Sequence, residues 1–554
     1  MKITNFTLKF YFIILYFFMV NSLFSQAPAW NWVSTGGGVG ISNYATSCVN
    51  DNAGNTFLSG LHNDTMMIQK FDPNGNLVWM TKPVIKGSVP QSRIYDIALD
   101  SFGNVYVGGT FHDTCYFGSI MLISDTVNSN PSSAGFLAKL DPNGNFIWAI
   151  NAIQSSSCQS VAVDQNNDII IGGTAGIYSN FVISGQSVSI TSPKQHLFMA
   201  KINSSGVGIW AKVFESAPSN PTLGKSAVHD ICTDNSGNVY FTGYFSYSVN
   251  FGGVALTASG SEIYLAKLDA NGNTVWVKQS NSSLSYKGAC GQGVGVDASG
   301  DVYLLGWIEE NTNFGSFTAT YGGTPSSQNT IVLVKYNSSG TEQWAKAFGK
   351  VKSDSYYGRT IGYSLTSSGD SYIGSSAGNF VSGGIDFGDG ISQSFPVNGF
   401  IINYVVKVNN SGVTQWAKFN NSNTTDKFYS SSIDAAENVY VCGYWITGTG
   451  FDNLIAPTGP YGILLAKLGS NPINSITDYI NNSSAFLIYP NPATNQITIQ
   501  SEQAGVFDLL DIQGRVLQSF TVNNSQETIP LNYSAGMYFI REQKSGVVQK
   551  VIIE

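Results

Sequence analysis

The chain has 554 residues, of which 11% are charged and 13% are aromatic, and it contains 59 glycines. This composition is typical of a large all-β protein with many turns, and the chain is long enough to bury a sizeable core. The net charge of −8 and the pI near 5.1 argue against nucleic-acid binding, which requires a basic footprint.

The N-terminus has the pattern of a secretory signal peptide covering residues 1–25. Lys2 and Lys9 supply a basic start, and the segment 10–20 is apolar and uncharged. It is shorter than the ~20 residues that a membrane-spanning helix needs, and no cysteine follows it, which disfavours a lipoprotein. We expect cleavage after Ser25, with cleavage after Ala27 as the alternative. Because no other long apolar stretch occurs, the mature chain is not expected to span a membrane.

A hairpin-like segment recurs between residues 26 and 468. Its clearest copy, FLAKLDPNGNFIWA at 136–149, joins two apolar runs through an Asp-Pro-Asn-Gly turn, and a tryptophan follows in the second run. The lysine of this segment recurs at intervals of 60 to 72 residues, at Lys70, Lys139, Lys201, Lys267, Lys335, Lys407 and Lys467. Self-similarity at a fixed period indicates a repeat architecture. Alternating β-branched and aromatic residues on both sides of turn residues predict a β-hairpin for each copy.

A second hairpin precedes each copy, and 97–109 is the clearest example. Its turn carries a glycine in five units, whereas Asn167 and Glu437 occupy that place in the third and seventh units. Two hairpins per unit give four strands, labelled A to D, and four-stranded units repeated around an axis form a β-propeller. The tryptophans of strand D suit the outer rim, where neighbouring sheets splay apart, and small residues such as Ala98 suit the inner strand A.

The seventh unit ends near Lys467 without a strand D, whereas the start of the mature chain reads as a strand D that lacks its A to C. We therefore expect the N-terminal strand to complete the last sheet and close the ring, which removes exposed sheet edges that promote aggregation. Trp32 is expected to be the closing tryptophan, with Trp30 as the alternative.

The two hairpins together resemble the SBBP-type bacterial β-propeller repeat. The resemblance rests on the pattern D-x-x-G-N-V-Y-V-x-G followed by A-K-L-D-x-N-G-N-x-x-W, and it covers about 30–468. It implies the propeller fold and says little about activity.

Strand alternation places the A–B and C–D turns on one face of the ring, named here the turn face, and the B–C and D–A connections on the other, the loop face. The turns are short and uniform, whereas many loop-face connections are long and varied. Binding residues concentrate on loops held by a rigid scaffold, so the loop face is the candidate functional face. The candidate ligand-binding residues lie just past strand B: Tyr244, Trp307, Glu309, Glu310, Tyr444 and Trp445.

Aromatic side chains beside carboxylates suit a glycan platform or an acid/base pair, and packing at the rim is the plainer interpretation. Glu309 and Glu310 are adjacent and should point apart on a strand, which weakens the acid/base interpretation. The sequence contains no nucleophile elbow, zinc-protease or phosphate-loop motif, so no catalytic residue is assigned.

No metal or other cofactor is assigned from the sequence. His62, His112 and Asp113 lie near the ends of strand B in neighbouring units, where solvated loop residues are a plainer interpretation than a metal site. Turns such as 72–76 resemble the first half of a calcium loop but lack its distal glutamate, so turn chemistry explains them and calcium stays the alternative. The six cysteines show neither a disulfide framework nor metal spacing, and we expect small buried hydrophobes.

The chain after the repeats changes character. Residues 469–484 are polar and lack a strand pattern, which predicts a linker, and 485–554 contain strand-like segments that predict a small β-sandwich. This tail resembles a type IX secretion C-terminal sorting domain of type A. The resemblance is carried by Tyr489, Pro490, Asn491, Pro492, Asp511, Gly514, Arg515, Gly536, Tyr538 and Lys550. It implies export across an outer membrane by the type IX machinery, then cleavage in the linker.

Together these patterns predict an all-β protein, a seven-bladed β-propeller closed by the N-terminal strand and followed by a β-sandwich. We expect a secreted or cell-surface protein, monomeric, that binds a glycan or a protein through the loop face. A secreted hydrolase or lyase acting on polysaccharide is the alternative, because propellers host such chemistry on their loop face.

Overall fold

The computed structural model describes two compact units, Met1–Ser470 and Asn471–Glu554, each in part. The described residues of the first unit are 27–35, 43–86, 92–124, 126–127, 130–131, 133–152, 156–176, 180–191, 195–216, 226–282, 288–322, 329–351, 361–378, 385–393, 401–420, 426–445, 450–452, 454–455 and 462–469. Those of the second unit are 486–490, 492–501, 504–511, 515–523, 526–543 and 548–553. The predicted signal peptide, and the predicted linker beyond its first residue, lie outside these ranges. Within them every regular element is a strand, as expected of an all-β protein.

The hairpin turns are built by their own aspartates. Asp141 accepts the backbone N–H of Asn145 at 2.9 Å through Oδ1 and its side-chain amide at 2.9 Å through Oδ2. Gly144 adopts a φ of 86°, and where the first hairpin lacks glycine, Asn167 and Glu437 take φ values of 61° and 59°. Both aspartate bonds recur at Asp51, Asp72, Asp100, Asp234, Asp269 and Asp434. The motif therefore closes a turn locally, independently of the rest of the fold.

These hairpins pair into antiparallel sheets of four strands, numbered here 1 to 7 with strands in the order A to D. In sheet 2, strand D also pairs with Phe181–Ile183, which pairs with Gln186–Val188, so this sheet has six strands. Sheet 1 contains Tyr44–Asn50, Thr56–His62, Thr65–Phe71 and Leu77–Thr81. Sheet 2 contains Arg93–Leu99, Val105–His112, Ser133–Leu140 and Phe146–Ala152. Sheet 3 contains Ser157–Val163, Ile169–Ala175, His196–Ile202 and Gly208–Phe214. Sheet 4 contains Ala227–Thr233, Val239–Phe251, Val254–Leu268 and Thr274–Gln279.

The remaining sheets continue the series. Sheet 5 contains Ala289–Val296, Val302–Ile308, Asn329–Tyr336 and Glu342–Val351. Sheet 6 contains Gly362–Leu365, Ser371–Gly378, Ile401–Val408 and Thr414–Phe419. Sheet 7 contains Lys427–Ile433, Val439–Trp445, Gly462–Gly469 and, as its strand D, Ala29–Thr35.

The sheets form a closed ring. Strand A of each sheet contacts strand A of the next, and strand A of sheet 7 contacts strand A of sheet 1. Buried apolar side chains fill the spaces between neighbouring sheets. Strand A is thus innermost, and the architecture is of the β-propeller type that the repeat predicted.

The N-terminal strand closes this ring as predicted. Trp32 pairs with Lys467, the same register in which Trp148 pairs with Lys139 in sheet 2, so Trp32 is the closing tryptophan. Trp30 has a different role: it is 1% exposed, and its Nε1 donates to the carbonyl of Phe419 in sheet 6 at 3.3 Å. The strand therefore joins sheet 7 and also anchors it to the preceding sheet.

At five of the seven seams the strand D tryptophan joins one sheet to the next, an arrangement named here the indole latch. The indole N–H donates to a carbonyl in the following C–D turn at 3.1 to 3.4 Å, in the pairs Trp32–Pro73, Trp79–Pro142, Trp148–Ser204, Trp210–Ala270 and Trp276–Ser338. The ring also covers the glycine of that turn: a Cβ at Gly144 would lie 2.9 Å from the ring of Trp79. The sequence analysis assigned the tryptophan a filling role, and the structure adds this specific contact.

The second unit is a β-sandwich, as predicted. One sheet contains Phe486–Tyr489, Gln496–Ser501 and Gln526–Pro530, and the other contains Val516–Val522, Gly505–Leu510, Gly536–Glu542 and Val548–Ile553. A single apolar cluster, which includes Phe486, Phe507 and Ile540, draws residues from both sheets.

Candidate ligand-binding face

Extra strands elaborate the loop face. In the part of the chain that the structure describes, the longest B–C hairpin is in sheet 4, where the two strands run for 13 and 15 residues. Short strands occur elsewhere at Val84–Lys86, Thr114–Phe117, Ile120–Ile123, Thr126–Val127, Asn130–Pro131, Phe181–Ile183, Gln186–Val188, Asn281–Ser282, Thr312–Phe314, Phe317–Ala319, Ile385–Asp386, Ser392–Gln393, Gly450–Phe451 and Leu454–Ile455. The turn face has only the repeated tight turns in the described residues, so the contrast expected between the two faces is present.

Strand A carries a β-bulge at the same place in six of the seven sheets. In each of these strands the extra residue lies four positions before the last residue of the strand. The bulged residues are Thr46, Tyr95, Gln159, His229, Gln292 and Tyr429. Bulges often re-aim a side chain beside a functional site. These residues were not predicted from the sequence, because they share a register position and no residue type.

Three predicted aromatic residues share one position at the loop-face end of strand B. Tyr244, Trp307 and Tyr444 each follow a glycine and are half-buried. Tyr244 pairs with Ala227, and the other two make the equivalent pairs in sheets 5 and 7. The structure therefore places an aromatic ring beside strand A in three sheets.

A tyrosine cluster spans sheets 7 and 1. The ring of Tyr429 lies 5.8 Å from that of Tyr444 and 6.0 Å from that of Tyr44. Burial raises the pKa of Tyr44, and the positive charge of Arg93 nearby partly opposes this. The cluster combines half-buried aromatic rings, phenol hydroxyls and a cation at the inner end of the loop face.

A second cluster lies between sheets 4 and 5. The ring of Tyr244 packs 5.5 Å from that of His229, and burial raises the pKa of Tyr244 to about 12. The Nδ1 of His229 lies 2.9 Å from the carbonyl of Gly291 and 3.1 Å from Nε2 of Gln292. The bulged residues of sheets 4 and 5, His229 and Gln292, therefore contact each other across the interface between these two sheets.

Trp307, in strand B of sheet 5, and Glu309, just past the end of that strand, both lie beside Gly288. Gly288 immediately precedes strand A of the same sheet. Glu309 exchanges backbone and side-chain hydrogen bonds with Gly288, whose N–H donates to Oε2 at 3.0 Å. A Cβ at Gly288 would meet the ring of Trp307 at 3.7 Å. This carboxylate is half-exposed, and Gly288 lies beside both its oxygen and the ring of Trp307.

Two other candidates differ from expectation. Trp445 is 2% exposed and packs in the core of sheet 7, because it follows Tyr444 on a strand and must point to the opposite side. Glu310 is 7% exposed and lies with Glu309 in a bend just past strand Val302–Ile308. Neither side chain is offered to solvent on the loop face.

Glu310 has a buried acidic neighbour in sheet 4. Burial, with a smaller contribution from the charge of Glu310, raises the pKa of Glu262. The oxygens of Glu262 are bonded by the hydroxyl of Ser280 and by the backbone N–H of Ser282, the latter at 2.8 Å. Both glutamates are buried, and the carboxylate of Glu262 already accepts hydrogen bonds from Ser280 and Ser282.

Among the described residues, the side chains of His62 and Asp113 have partners, whereas the buried Nδ1 of His112 has no hydrogen-bond partner. The Nδ1 of His62 lies 2.7 Å from Nζ of Lys82, and Asp113 accepts a hydrogen bond from the hydroxyl of Thr114. Among the described residues, no three His, Cys, Asp or Glu side chains gather as a metal site would require. The turn aspartates already bond their own loops, so turn chemistry accounts for these segments. Calcium binding remains the alternative hypothesis for them.

The described sorting-motif residues lie on turns and at strand ends of the second unit, except for Tyr538 and Lys550, which lie within strands. Arg515 pairs with Asp511 at 2.6 Å, and the hydroxyl of Tyr538 donates to the carbonyl of Ser534 at 2.9 Å. Gly536 begins a strand, and Asn491 and Gly514 fall outside the described residues. Among the described residues, no helix is long and apolar enough to cross a membrane.

Residues 487–554 match the family described as the secretion system C-terminal sorting domain. The second unit is therefore the type IX sorting domain that the sequence predicted, and it implies contact with that machinery and a secreted or cell-surface location. The match does not extend to the repeats, for which the SBBP pattern remains a resemblance.

The chain also has weaker similarities to other proteins. An uncharacterized WD repeat-containing protein of Acanthamoeba polyphaga mimivirus is 28% identical over 231 residues, which is 39% of this chain and 16% of that protein's length. A protein of unknown function from Dyadobacter fermentans has a TM-score of 0.37 at 9% identity and covers 80% of this chain and 100% of its own. Virginiamycin B lyase from Staphylococcus aureus has a TM-score of 0.36 at 8% identity, covering 77% and 96% respectively.

Proposed function

We propose that the ring is a binding module that acts outside the cell through its loop face, with a glycan as the favoured ligand and a protein as the alternative. The predicted leader 1–25 starts export, the sorting domain directs the outer-membrane step, and cleavage within 469–484 releases the ring or leaves it at the surface. We expect the ring to act as a monomer.

The shared register of Tyr244, Trp307 and Tyr444 carries this proposal. Three sheets present an aromatic ring at one height of the loop face, and each ring has polar groups beside it. Binding sites combine apolar and aromatic walls with a few polar groups that fix orientation. Rings repeated around an axis suit an extended ligand with a repeated chemical unit, such as a polysaccharide.

The hydrolase or lyase alternative has weaker support. A carboxyl group with a raised pKa beside a second carboxylate is the pattern of acid/base catalysis, and Glu262 beside Glu310 has that pattern. Both side chains are buried, however, and Glu262 is fully occupied by Ser280 and Ser282. Glu309 is half-exposed, and its carboxylate accepts the backbone N–H of Gly288.

A glycan array probed with the full-length protein tests the proposal. Binding should be lost or weakened at least tenfold by Trp307→Ala and Tyr444→Ala. Phe102→Ala is the matched control, because Phe102 is 75% exposed but lies in a turn-face turn, so this variant should bind normally.

Two results would contradict the proposal. One is equal binding by all four proteins, which would place the ligand elsewhere. The other is cleavage of a bound polysaccharide that stops in Glu309→Gln or Glu310→Gln, which would establish the enzyme instead.

A further inference from the structure

Two buried cysteines lie on opposite sides of the seam where sheet 7 meets sheet 1. Cys48 is in strand A of sheet 1, and Cys442 is in strand B of sheet 7. They are 5% and 0% exposed and belong to one apolar cluster that spans the seam. The hydroxyl of Ser432, also in sheet 7, donates to Sγ of Cys48 at 3.5 Å.

The repeat itself shows that these two positions face each other. The strand B position of Cys442 is occupied by Gly108 in sheet 2, and the strand A position of Cys48 is occupied by Val161 in sheet 3. A Cβ at Gly108 would lie 2.6 Å from Cγ2 of Val161.

Two further seams repeat this contact. A Cβ at Gly172 would lie 2.9 Å from Cδ1 of Ile231, and one at Gly374 would lie 3.2 Å from Cβ of Ser431. The two Cβ atoms of a disulfide are usually ~3.5–4.5 Å apart. By this equivalence, the Cβ atoms of Cys48 and Cys442 are expected to lie about as close as a disulfide requires. Only a small shift of sheets 7 and 1 would be needed to reach that spacing.

All six cysteines are free thiols in the structure. A hydrogen bond from Cys442 is the main cause that lowers the pKa of Cys48, whereas burial raises that of Cys442 well above its usual value. Cys115 and Cys158 lie in other apolar clusters, away from this seam.

We infer that Cys48 and Cys442 form a disulfide in the exported protein and join the first and last sheets covalently. A protein with a sorting domain for export passes through an oxidising compartment, where disulfides form and persist. This inference rests on that domain and on the seam, and it does not depend on the proposed ligand.

The chemistry is an exchange with a disulfide-bonded oxidoreductase. The Cys48 thiolate attacks the oxidant's disulfide and releases one thiolate from it. The Cys442 thiol then loses its proton and displaces the second oxidant sulfur, so the Cys48–Cys442 bond forms as the oxidant leaves in its dithiol form. Two protons and two electrons leave the protein. Because both sulfurs are buried in the closed ring, the exchange is expected before or during ring closure.

The test uses the full-length chain exported to a bacterial periplasm, denatured and alkylated without reduction. Four of the six thiols should react, and peptide mass mapping should find 48 linked to 442. Reductant should lower the melting temperature of this protein by several degrees, since the link closes a very long loop. The Cys48→Ser/Cys442→Ser variant should show four thiols and no response to reductant, whereas Cys158→Ser should retain the link.

A second preparation keeps the inference testable if the double variant does not fold. Wild-type chain made in a reducing cytosol, unfolded and refolded with oxidised glutathione, should gain the same linked peptide. Six reactive thiols in the exported protein would overturn the inference, and so would a linked peptide that joins other cysteines.

Discussion

Replacing Trp30 by alanine should destabilise the ring more than any change on its outer surface. The side chain is 1% exposed, and its ring centroid lies 4.9 Å from that of Phe451 at 82° and 6.1 Å from that of Phe428. Truncating a buried tryptophan costs about 3–5 kcal/mol, including the lost edge contacts. The indole bond to Phe419 adds about 1 kcal/mol. We therefore expect a loss of about 4–6 kcal/mol, at least about a quarter of the usual 5–15 kcal/mol stability of a domain.

Urea and thermal unfolding of the full-length protein measure this loss. The urea midpoint should fall clearly, and the melting temperature should drop by at least about 5 °C. Ile147→Ala is the control, because Ile147 is 50% exposed on strand D of sheet 2 and its truncation should cost less than about 0.5 kcal/mol. Removing residues 26–34 should destabilise the ring further. If Trp30→Ala and that deletion both unfolded like the wild type, closure by the N-terminal strand would be refuted.

Three other predictions concern the indole latch, the second unit and export. Trp148→Phe keeps a ring but loses the bond to Ser204, so it should cost roughly 1–2 kcal/mol in urea unfolding, and an unchanged midpoint would argue against the latch. Burial opposes ionisation of Asp508, but hydrogen bonds from Ser519, Arg541 and Gln543 prevail and lower its pKa. A lowered folded-state pKa means that this carboxylate stabilises the fold above its unfolded pKa near ~4 and that the benefit disappears as pH falls. Hydrogen exchange of 505–510 should therefore be faster in Asp508→Asn than in wild type at pH 7, and a difference that grew with acid would contradict the assignment. Deleting 485–554 should leave a folded ring in the periplasm, and normal export of the truncated chain would contradict the sorting role.

The fold was predictable because its information is local and repeated. Each Asp-x-Asn-Gly turn closes through its own side chains, as Asp141 does, so one copy identifies the hairpin without knowledge of the rest. The seventh unit lacks a strand D, and the segment around Trp32 has the pattern of a strand D without its own strands A to C. Together these two observations predicted that the N-terminal strand closes the ring. These inferences needed only the period and the chemistry of turns.

The candidate site was only partly predictable, because it depends on contacts between sheets. The bulged residues Tyr95, His229 and Tyr429 share a position that no residue type marks. The pair Tyr444 and Trp445 shows the opposite problem: alternation along a strand forces one side chain inward, and the sequence did not reveal which. The seam between Cys48 and Cys442 was invisible for the same reason, since it joins residues nearly 400 positions apart in the chain.

The closing strand also determines the point at which a pulling force on the chain would act on the ring. Ala29 pairs with Gly469, so the chain begins and ends its path through the ring side by side, at the turn-face end of sheet 7. A tether attached beyond Gly469 would hold the ring from the turn face and leave the loop face directed away from the point of attachment. Tension on that tether would pull along strand Gly462–Gly469, which is hydrogen-bonded on both sides. Because those bonds lie across the direction of pull, two full ladders would resist together in shear.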